Sequence, residues 1–330
     1  MASEINANDV RFFSGQSHPE LAKEITDYVN VPLESTYFGR YSNDNLYIQL
    51  GASVRGRVVY IIQSLVKPVS DNLMELFMML DIAHGAGARE VHAIIPYYSY
   101  ARSDKKDAPR ISITARLIAD LLETAGATHV MTMTLHSPQV HGFFRVPTDP
   151  LTARPLFVRH FAEKNPDPLK TIVVAPDMGR ANAAARFGNR LKLPVAAAEK
   201  RRFSDTRVEI SSTVLRQVEV YRQAIIYDDE IATGTSVIEL AKLLIDGGIQ
   251  EIAMICTHGV FTHNALSKLS RIPEIIEIVT TNTVPIPKQV RPPHLTILSV
   301  GPIFGEAILR NYSRQSIGDL FPFGDEDLTA

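Results

Sequence analysis

Residues 223–240 read QAIIYDDEIATGTSVIEL: a run of β-formers, two adjacent acids, a Thr-Gly-Thr-Ser turn and then a helical pattern. Each part constrains the next. The apolar run predicts a buried strand, and its carboxyl end is where open α/β sheets bind their ligands. Asp228 and Asp229 stand there, suited to accept hydrogen bonds from the vicinal hydroxyls of a sugar. The turn Thr233, Gly234, Thr235 and Ser236 opens a helix, so its backbone N–H groups and hydroxyls face whatever anion sits at the helix N-terminus. Ala232 and Gly234 are small enough to let the backbone approach a phosphate closely. The competing reading is a plain strand followed by an Asp-rich turn and a Thr/Ser helix cap.

Working outward, short β-branched runs alternate with amphipathic stretches, the rhythm of parallel sheets wrapped by crossover helices. Strands are predicted at 58–63, 90–95 and 128–135, with helices at 71–87 and 111–126 between them. After the proline-marked stretch VPTDPLTARPLF the rhythm restarts, with strands at 171–176, 194–199, 223–229, 251–259 and 277–283. Helices are predicted at 181–191 and 236–248. The fold class is α/β: two similar domains, 1–150 and 151–330, each an open, mainly parallel sheet flanked by helices. Two domains are expected because single cores stop growing near ~250–300 residues, and the last ~20 residues are expected to pack back on the first domain.

The 330 residues are 45% hydrophobic, and 34 basic against 36 acidic side chains leave a formal charge of −2. No global field holds a polyanion or an anionic membrane, so neither nucleic acid nor membrane is an expected partner. The single cysteine, Cys256, lies in the apolar run EIAMICTHG, which excludes an intrachain disulfide and a cysteine metal cluster. The start MASEINANDV has no apolar stretch of signal length, and nowhere do about 18 uncharged apolar residues run together. A soluble, cytoplasmic protein is expected.

The strand-Asp-Asp-loop resembles the loop that phosphoribosyltransferases and ribose-phosphate pyrophosphokinases share. Further signatures separate these two: FFSGQSHPELAKEI (12–25), SVRGRVVYIIQS (53–64), DNLMELFMMLD (71–81), IPYYSYARSDKKDAPR (95–110), TLHSPQVHGFF (134–144), VAPDMG (174–179), EKRR (199–202) and CTHGVF (256–261). They follow one another as in the pyrophosphokinases, over nearly the whole chain, whereas ordinary phosphoribosyltransferases lack this N-terminal half. The resemblance implies two phosphoribosyltransferase-like domains. It also implies transfer of the pyrophosphoryl group of ATP to ribose 5-phosphate, with Mg2+ as cofactor.

By that resemblance His136 and Asp177 serve the catalytic metal assembly, and Lys200 and Arg202 are the cations of a flexible catalytic loop closing on the phosphates. Tyr41, Asn43, Asn45, Arg102, Ser103 and His136 match nucleotide-binding positions, with the Tyr41 ring laid on adenine from a neighbouring subunit. Asp228, Asp229 and residues 233–236 match the ribose-5-phosphate site, while Ser53 and Arg55 match part of an allosteric phosphate or ADP site. Dimer-based hexamers are usual in the family, so a homo-oligomer is implied.

Several positions depart from the pattern. The family loop reads DDMxDTxGT, and Ala232 replaces its third acid. Arg180 replaces the second glycine of PDxGG, Thr134 the acid of DLH, Asn45 a Glu and Ser103 a Gln, and Gly318 stands where a second hydroxyl is expected. These changes fit a divergent enzyme or a catalytically weakened regulatory paralogue. A phosphoribosyltransferase is the remaining alternative. Retention of Lys200, Arg202, His136, Asp177, Asp228 and Asp229 favours the enzyme, because clustered charges bring no stability of their own.

Overall fold

The computed structural model describes residues 5–198, 200–202, 208–210 and 213–321, with the backbone alone for 200–202, 208–210 and 213. The chain divides into two compact units: residues 1–152, 283–285 and 299–330, and residues 153–282 and 286–298.

The first unit is built on strand β1 (Val10–Ser14), helix α1 (Pro19–Val29), β2 (Thr36–Arg40), β3 (Leu46–Leu50), β4 (Val58–Ile62), α2 (Val69–Gly85), β5 (Glu90–Ile95), α3 (Thr114–Thr124), β6 (His129–Met133) and β7 (Thr148–Leu151). Its main sheet runs β1-β4-β5-β6-β7, all parallel, and β2 pairs with β3 as a separate antiparallel hairpin. All five residues of β4 and of β6 are buried, as a strand covered on both faces requires. α3 buries Ala115, Ile118, Ala119 and Leu122, the stripe of a helix with one face on a core. The stretch 146–157, marked by its prolines, holds a fifth strand, β7, before the next helix begins. Pro150 is tolerated within β7 because this is an edge strand, and Pro155 falls in the first turn of the helix that follows.

The second unit contains α4 (Arg154–Ala162), β8 (Thr171–Ala175), α5 (Ala181–Leu191), β9 (Val195–Ala197), β10 (Lys200–Arg202), β11 (Val208–Ile210), α6 (Thr213–Val218), β12 (Gln223–Ile231), α7 (Thr235–Asp246), β13 (Glu251–Gly259), α8 (Ala265–Leu269), β14 (Ile275–Thr281) and β15 (Leu295–Leu298). The six-stranded parallel sheet runs β15-β14-β13-β12-β8-β9. Strands to one side of β12 follow it in the chain, and those to the other side precede it. The strand order therefore reverses between β8 and β12, and the crossovers diverge there to leave a crevice at the carboxyl ends. The first unit's sheet, ordered 1-4-5-6-7, has no such reversal.

The chain then returns to the first unit as α9 (Gly301–Tyr312). Phe304, Ala307 and Ile308 are fully buried, each large apolar side chain contributing about 1.5–3 kcal/mol. Gly305 permits the contact with α1: a Cβ there would lie 2.3 Å from Tyr28 Cδ1. The Tyr28 hydroxyl donates to Glu306 at 3.2 Å, and that of Tyr60, on β4, donates to Asn311 Oδ1 at 3.0 Å.

Near these contacts the amino ends of β5, β6 and β7 carry a line of ionisable groups. Arg314 Nη2 lies 2.6 Å from Glu90 Oε1, and His92 Nε2 lies 3.3 Å from Glu90 Oε2. The buried His92 ring stacks on Tyr60 at 4.4 Å and sets its Nδ1 3.1 Å from that of His129, whose Nε2 is 2.8 Å from Asp149. Burial holds the His92 imidazole below its ordinary value. His92, and after it Arg314, pulls the Glu90 carboxyl down to about 2 against the opposing effect of burial. A depressed carboxyl stabilises the fold above its unfolded value and loses that contribution as pH falls toward its folded value. The melting-temperature advantage of the wild type over Glu90→Gln should therefore be full above pH 4.5 and shrink toward pH 2. An advantage that does not change with pH would contradict this.

Candidate active site

The site grows from β12. Residues 224–227 are buried among neighbours in β8 and β13, and the strand continues through the two acids to Ile231, two residues beyond the predicted end. Pairing with β8 stops at Ile226, so Asp228 and Asp229 stand past that strand's carboxyl end, at the point of reversal. Asp229 shares the face of Tyr227, whose ring stacks on Phe187 of α5, and it is only 4% exposed. The Asp228 carboxyl is pushed well above the usual carboxylate range, by burial first and then by the neighbouring charge of Asp229. Its Oδ1 accepts from the Asp229 N–H at 2.8 Å.

The loop after β8 completes this edge. Asp177 accepts from the Arg180 N–H at 3.1 Å and caps a short 3-10 turn, Met178–Arg180, that runs straight into α5. The Arg180 side chain crosses toward β12, where its Nε lies 3.4 Å from Asp229 Oδ1. Sequence reasoning noted Arg180 only as a departure; the signal was a base three residues past Asp177, in the Pro-Asp turn that follows β8.

Beyond β12 the turn takes the expected form. Gly234 is the residue before α7, with φ +76°, and the hydroxyls of Thr233 and Thr235 lie 3.2 Å apart. Ile238 makes the first helical hydrogen bond, to Gly234 O, which leaves the N–H groups of the opening turn outside the α7 ladder. Asp177, Arg180, Asp228, Asp229 and the 233–236 turn thus gather at one end of one sheet.

The other predicted residues fall in separate places. Tyr41 is 56% exposed at the tip of the β2–β3 hairpin, edge-on to Tyr47 with ring centroids 5.7 Å apart. Asn43 and Asn45 shape that tip: Tyr41 N–H donates to Asn45 O at 2.9 Å, and Asn45 N–H to Asn43 Oδ1 at 3.4 Å. Ser103 is tied by its backbone to Tyr100 O and Ala115 N, beside the exposed Arg102. His136 is half-buried beyond β6, after Thr134, whose φ is +42°. Ser53 and Arg55 are exposed in the loop before β4. Lys200 and Arg202 lie in β10, paired antiparallel with β11, so the segment expected as a loop is a hairpin in its described backbone. Their side chains, Glu199 and residues 203–207 lie outside the described residues.

A model for the N-terminal domain of ribose phosphate pyrophosphokinase matches residues 10–126, and one for the phosphoribosyl synthetase-associated domain matches 212–322. A Streptomyces coelicolor protein is 48% identical over 95% of this chain and 98% of its own. The ribose-phosphate pyrophosphokinase of Deinococcus radiodurans is 41% identical over 94% of this chain and 97% of its own. The chain belongs to the ribose-phosphate pyrophosphokinase family. In fold it is similar to a phosphoribosylpyrophosphate synthetase of Mycobacterium smegmatis, with a TM-score of 0.84 at 32% identity over 93% of this chain and 99% of that one.

Several pyrophosphokinase-like signatures of the first unit have a packing explanation. Glu75 is buried, and its carboxylate accepts from Gln63 Nε2 at 2.9 Å, from Gln16 Nε2 at 2.7 Å and from Gln16 N–H at 3.1 Å. The Ser17 hydroxyl donates to Gln63 Oε1 at 2.6 Å. One buried network thus joins the motifs at 12–25, 53–64 and 71–81, and each polar residue in it satisfies another.

Gly234 is the backbone position on which the turn depends. A side chain at its φ costs about 1–2 kcal/mol, and an added Cβ would also sit 3.3 Å from Ala265 Cβ. Gly234→Ala should therefore lower the stability of the second unit by about that amount in urea unfolding. Unchanged or raised stability would show that the turn tolerates an ordinary residue.

Proposed function

We propose that this protein is a ribose-phosphate pyrophosphokinase, converting ATP and ribose 5-phosphate to phosphoribosyl pyrophosphate and AMP. The observation that carries this reading is the pairing of two acids with a helix-opening turn at the reversal of strand order, in a chain whose relatives match along nearly its full length. The 1-hydroxyl of ribose attacks the β-phosphorus of ATP, its proton leaves, and the bond between the β-phosphorus and the oxygen that bridges it to the α-phosphate breaks, so that AMP departs with that oxygen.

On the sugar side, Asp228 and Asp229 accept hydrogen bonds from the ribose hydroxyls, each worth roughly 1.5–3 kcal/mol where charge-assisted. The 5-phosphate lies against Thr233, Gly234, Thr235 and Ser236. On the nucleotide side, Tyr41 stacks on adenine from a neighbouring copy, its exposure leaving room for that role. Asn43, Asn45, Arg102, Ser103 and His136 serve the rest of the nucleotide. Lys200 and Arg202 bring cations to nonbridging oxygens where charge spreads in the transition state.

Among the described residues no three His, Cys, Asp or Glu side chains are grouped to hold a metal by themselves. Asp177 offers the hard oxygen donor that magnesium prefers, and this ion is commonly held by one or two carboxylates together with substrate phosphates and water. Bound there, Mg2+ would neutralise triphosphate charge. Assembly through dimers, which the Tyr41 role requires, and a cytoplasmic location belong to the same proposal; among the described residues no helix is long and apolar enough to cross a membrane.

Ala232 and Arg180 favour one rival, a weakened regulatory paralogue, and a single assay separates the readings. Purified protein with ATP, magnesium and ribose 5-phosphate should form AMP in step with phosphoribosyl pyrophosphate. Lys200→Ala and Arg202→Ala should each lose on the order of 10²-fold in kcat with unchanged melting. No AMP from the wild type would leave the regulatory reading, consumption of phosphoribosyl pyrophosphate with a base would point to a phosphoribosyltransferase, and full turnover by both variants would remove these two residues from the chemistry.

A further inference from the structure

We propose that Arg180 is a positioning residue for ribose 5-phosphate in this chain: its guanidinium fixes the Asp229 carboxylate across the crevice and balances its charge. The inference deepens the proposed function and rests on it. Three observations carry it.

The first is geometric. Asp177 holds the Arg180 backbone at the start of α5, so the side chain leaves from the β8 side of the reversal and ends at Asp229 on the β12 side, Nε to Oδ1 3.4 Å. The pair spans the crevice where a ligand of this sheet is expected.

The second is burial. The side chains are only 15% and 5% exposed, respectively. Removing one partner of such a pair leaves an uncompensated charge in a poorly solvated place. Asp229 also neighbours Asp228, whose Oδ1 is already taken up by the Asp229 N–H. Without a cation, two adjacent buried carboxylates repel, and the cheapest relief is for one to take up a proton or swing out of line. Either change removes an acceptor aimed at the sugar hydroxyls. This loss outweighs the lone pair that Arg180 would release, because an acceptor in the wrong state or direction binds no hydroxyl.

The third is compositional. Where the family pattern places an acid this chain has Ala232, and where it places a glycine this chain has Arg180. One negative charge is lost and one positive charge gained around the same two aspartates. A glycine cannot pair with Asp229, so the role is particular to chains with this substitution. Lysine should fill it partly, since its ammonium carries the charge without the planar fork.

The test compares steady-state kinetics of wild type, Arg180→Met and Arg180→Lys, with calorimetric binding of ribose 5-phosphate to each. Arg180→Met should raise the KM and the Kd for ribose 5-phosphate on the order of tenfold or more, with the KM for ATP within about twofold. Arg180→Lys should recover most of that loss. A general packing defect would instead raise both KM values together and lower the melting temperature, and would overturn the proposal. So would wild-type affinity for the sugar phosphate in Arg180→Met, or a folded lysine variant no better than methionine. If the methionine variant does not fold, the lysine variant decides alone: a sugar-phosphate KM between about twofold and tenfold above wild type supports the role, and an unchanged one overturns it. Wild-type protein that binds no ribose 5-phosphate would overturn the proposed function and this inference with it. Wild-type binding that is insensitive to Arg180 would overturn this inference alone.

Discussion

The whole arrangement depends on holding two adjacent carboxylates at the end of a buried central strand. β12 is flanked on both sides by neighbouring strands, so Asp228 and Asp229 are fixed in place, Asp228 half-buried and Asp229 buried. Such a pair is costly to keep, because each charge resists the other and both resist burial. Three features offset the cost here: the strand-order reversal that opens a crevice beside them, the Asp229 N–H given to Asp228, and the Arg180 guanidinium beside Asp229. The following turn, with Gly234 in a left-handed conformation, then sets α7's first N–H groups beyond the acids.

The two units share an architecture and differ in what their polar groups do. In the first, the strand order has no reversal, and the motifs at the carboxyl ends of β1 and β4 are absorbed into a closed network around Glu75. Every partner in that network is another motif residue, so those signatures mark a packing solution. In the second, the equivalent edge keeps its acids and hydroxyls beside a crevice. Sequence likeness to a family spans both cases, and geometry separates them.

Most of the sheet was legible in the sequence because buried parallel strands are written as continuous β-branched runs; 90–95 and 251–259 coincide with β5 and β13. α5 likewise matches its predicted span. The elements that escaped prediction have local reasons. β1 and β15 are short edge strands, and α9 opens with Gly-Pro and carries Gly305, so its helical signal is weak until α1 is packed against it. The β10–β11 hairpin is rich in charge and reads as solvated loop. At the site, Asp228, Asp229 and the 233–236 turn were legible because they are consecutive, whereas the Arg180–Asp229 pair was not. One partner lies in the turn after β8 and the other on β12, and only the reversal of strand order brings them together.

The central claim is that the carboxyl end of β12 holds the sugar phosphate and not the nucleotide. Calorimetric titration of wild type and Asp229→Asn, with ribose 5-phosphate and separately with magnesium ATP, tests it most directly. The amide replaces a charged acceptor with a neutral one and a misplaced donor, so affinity for ribose 5-phosphate should fall on the order of tenfold or more while that for ATP holds. Collapse of ATP affinity with sugar-phosphate affinity intact would contradict the account and exchange the places of the two ligands.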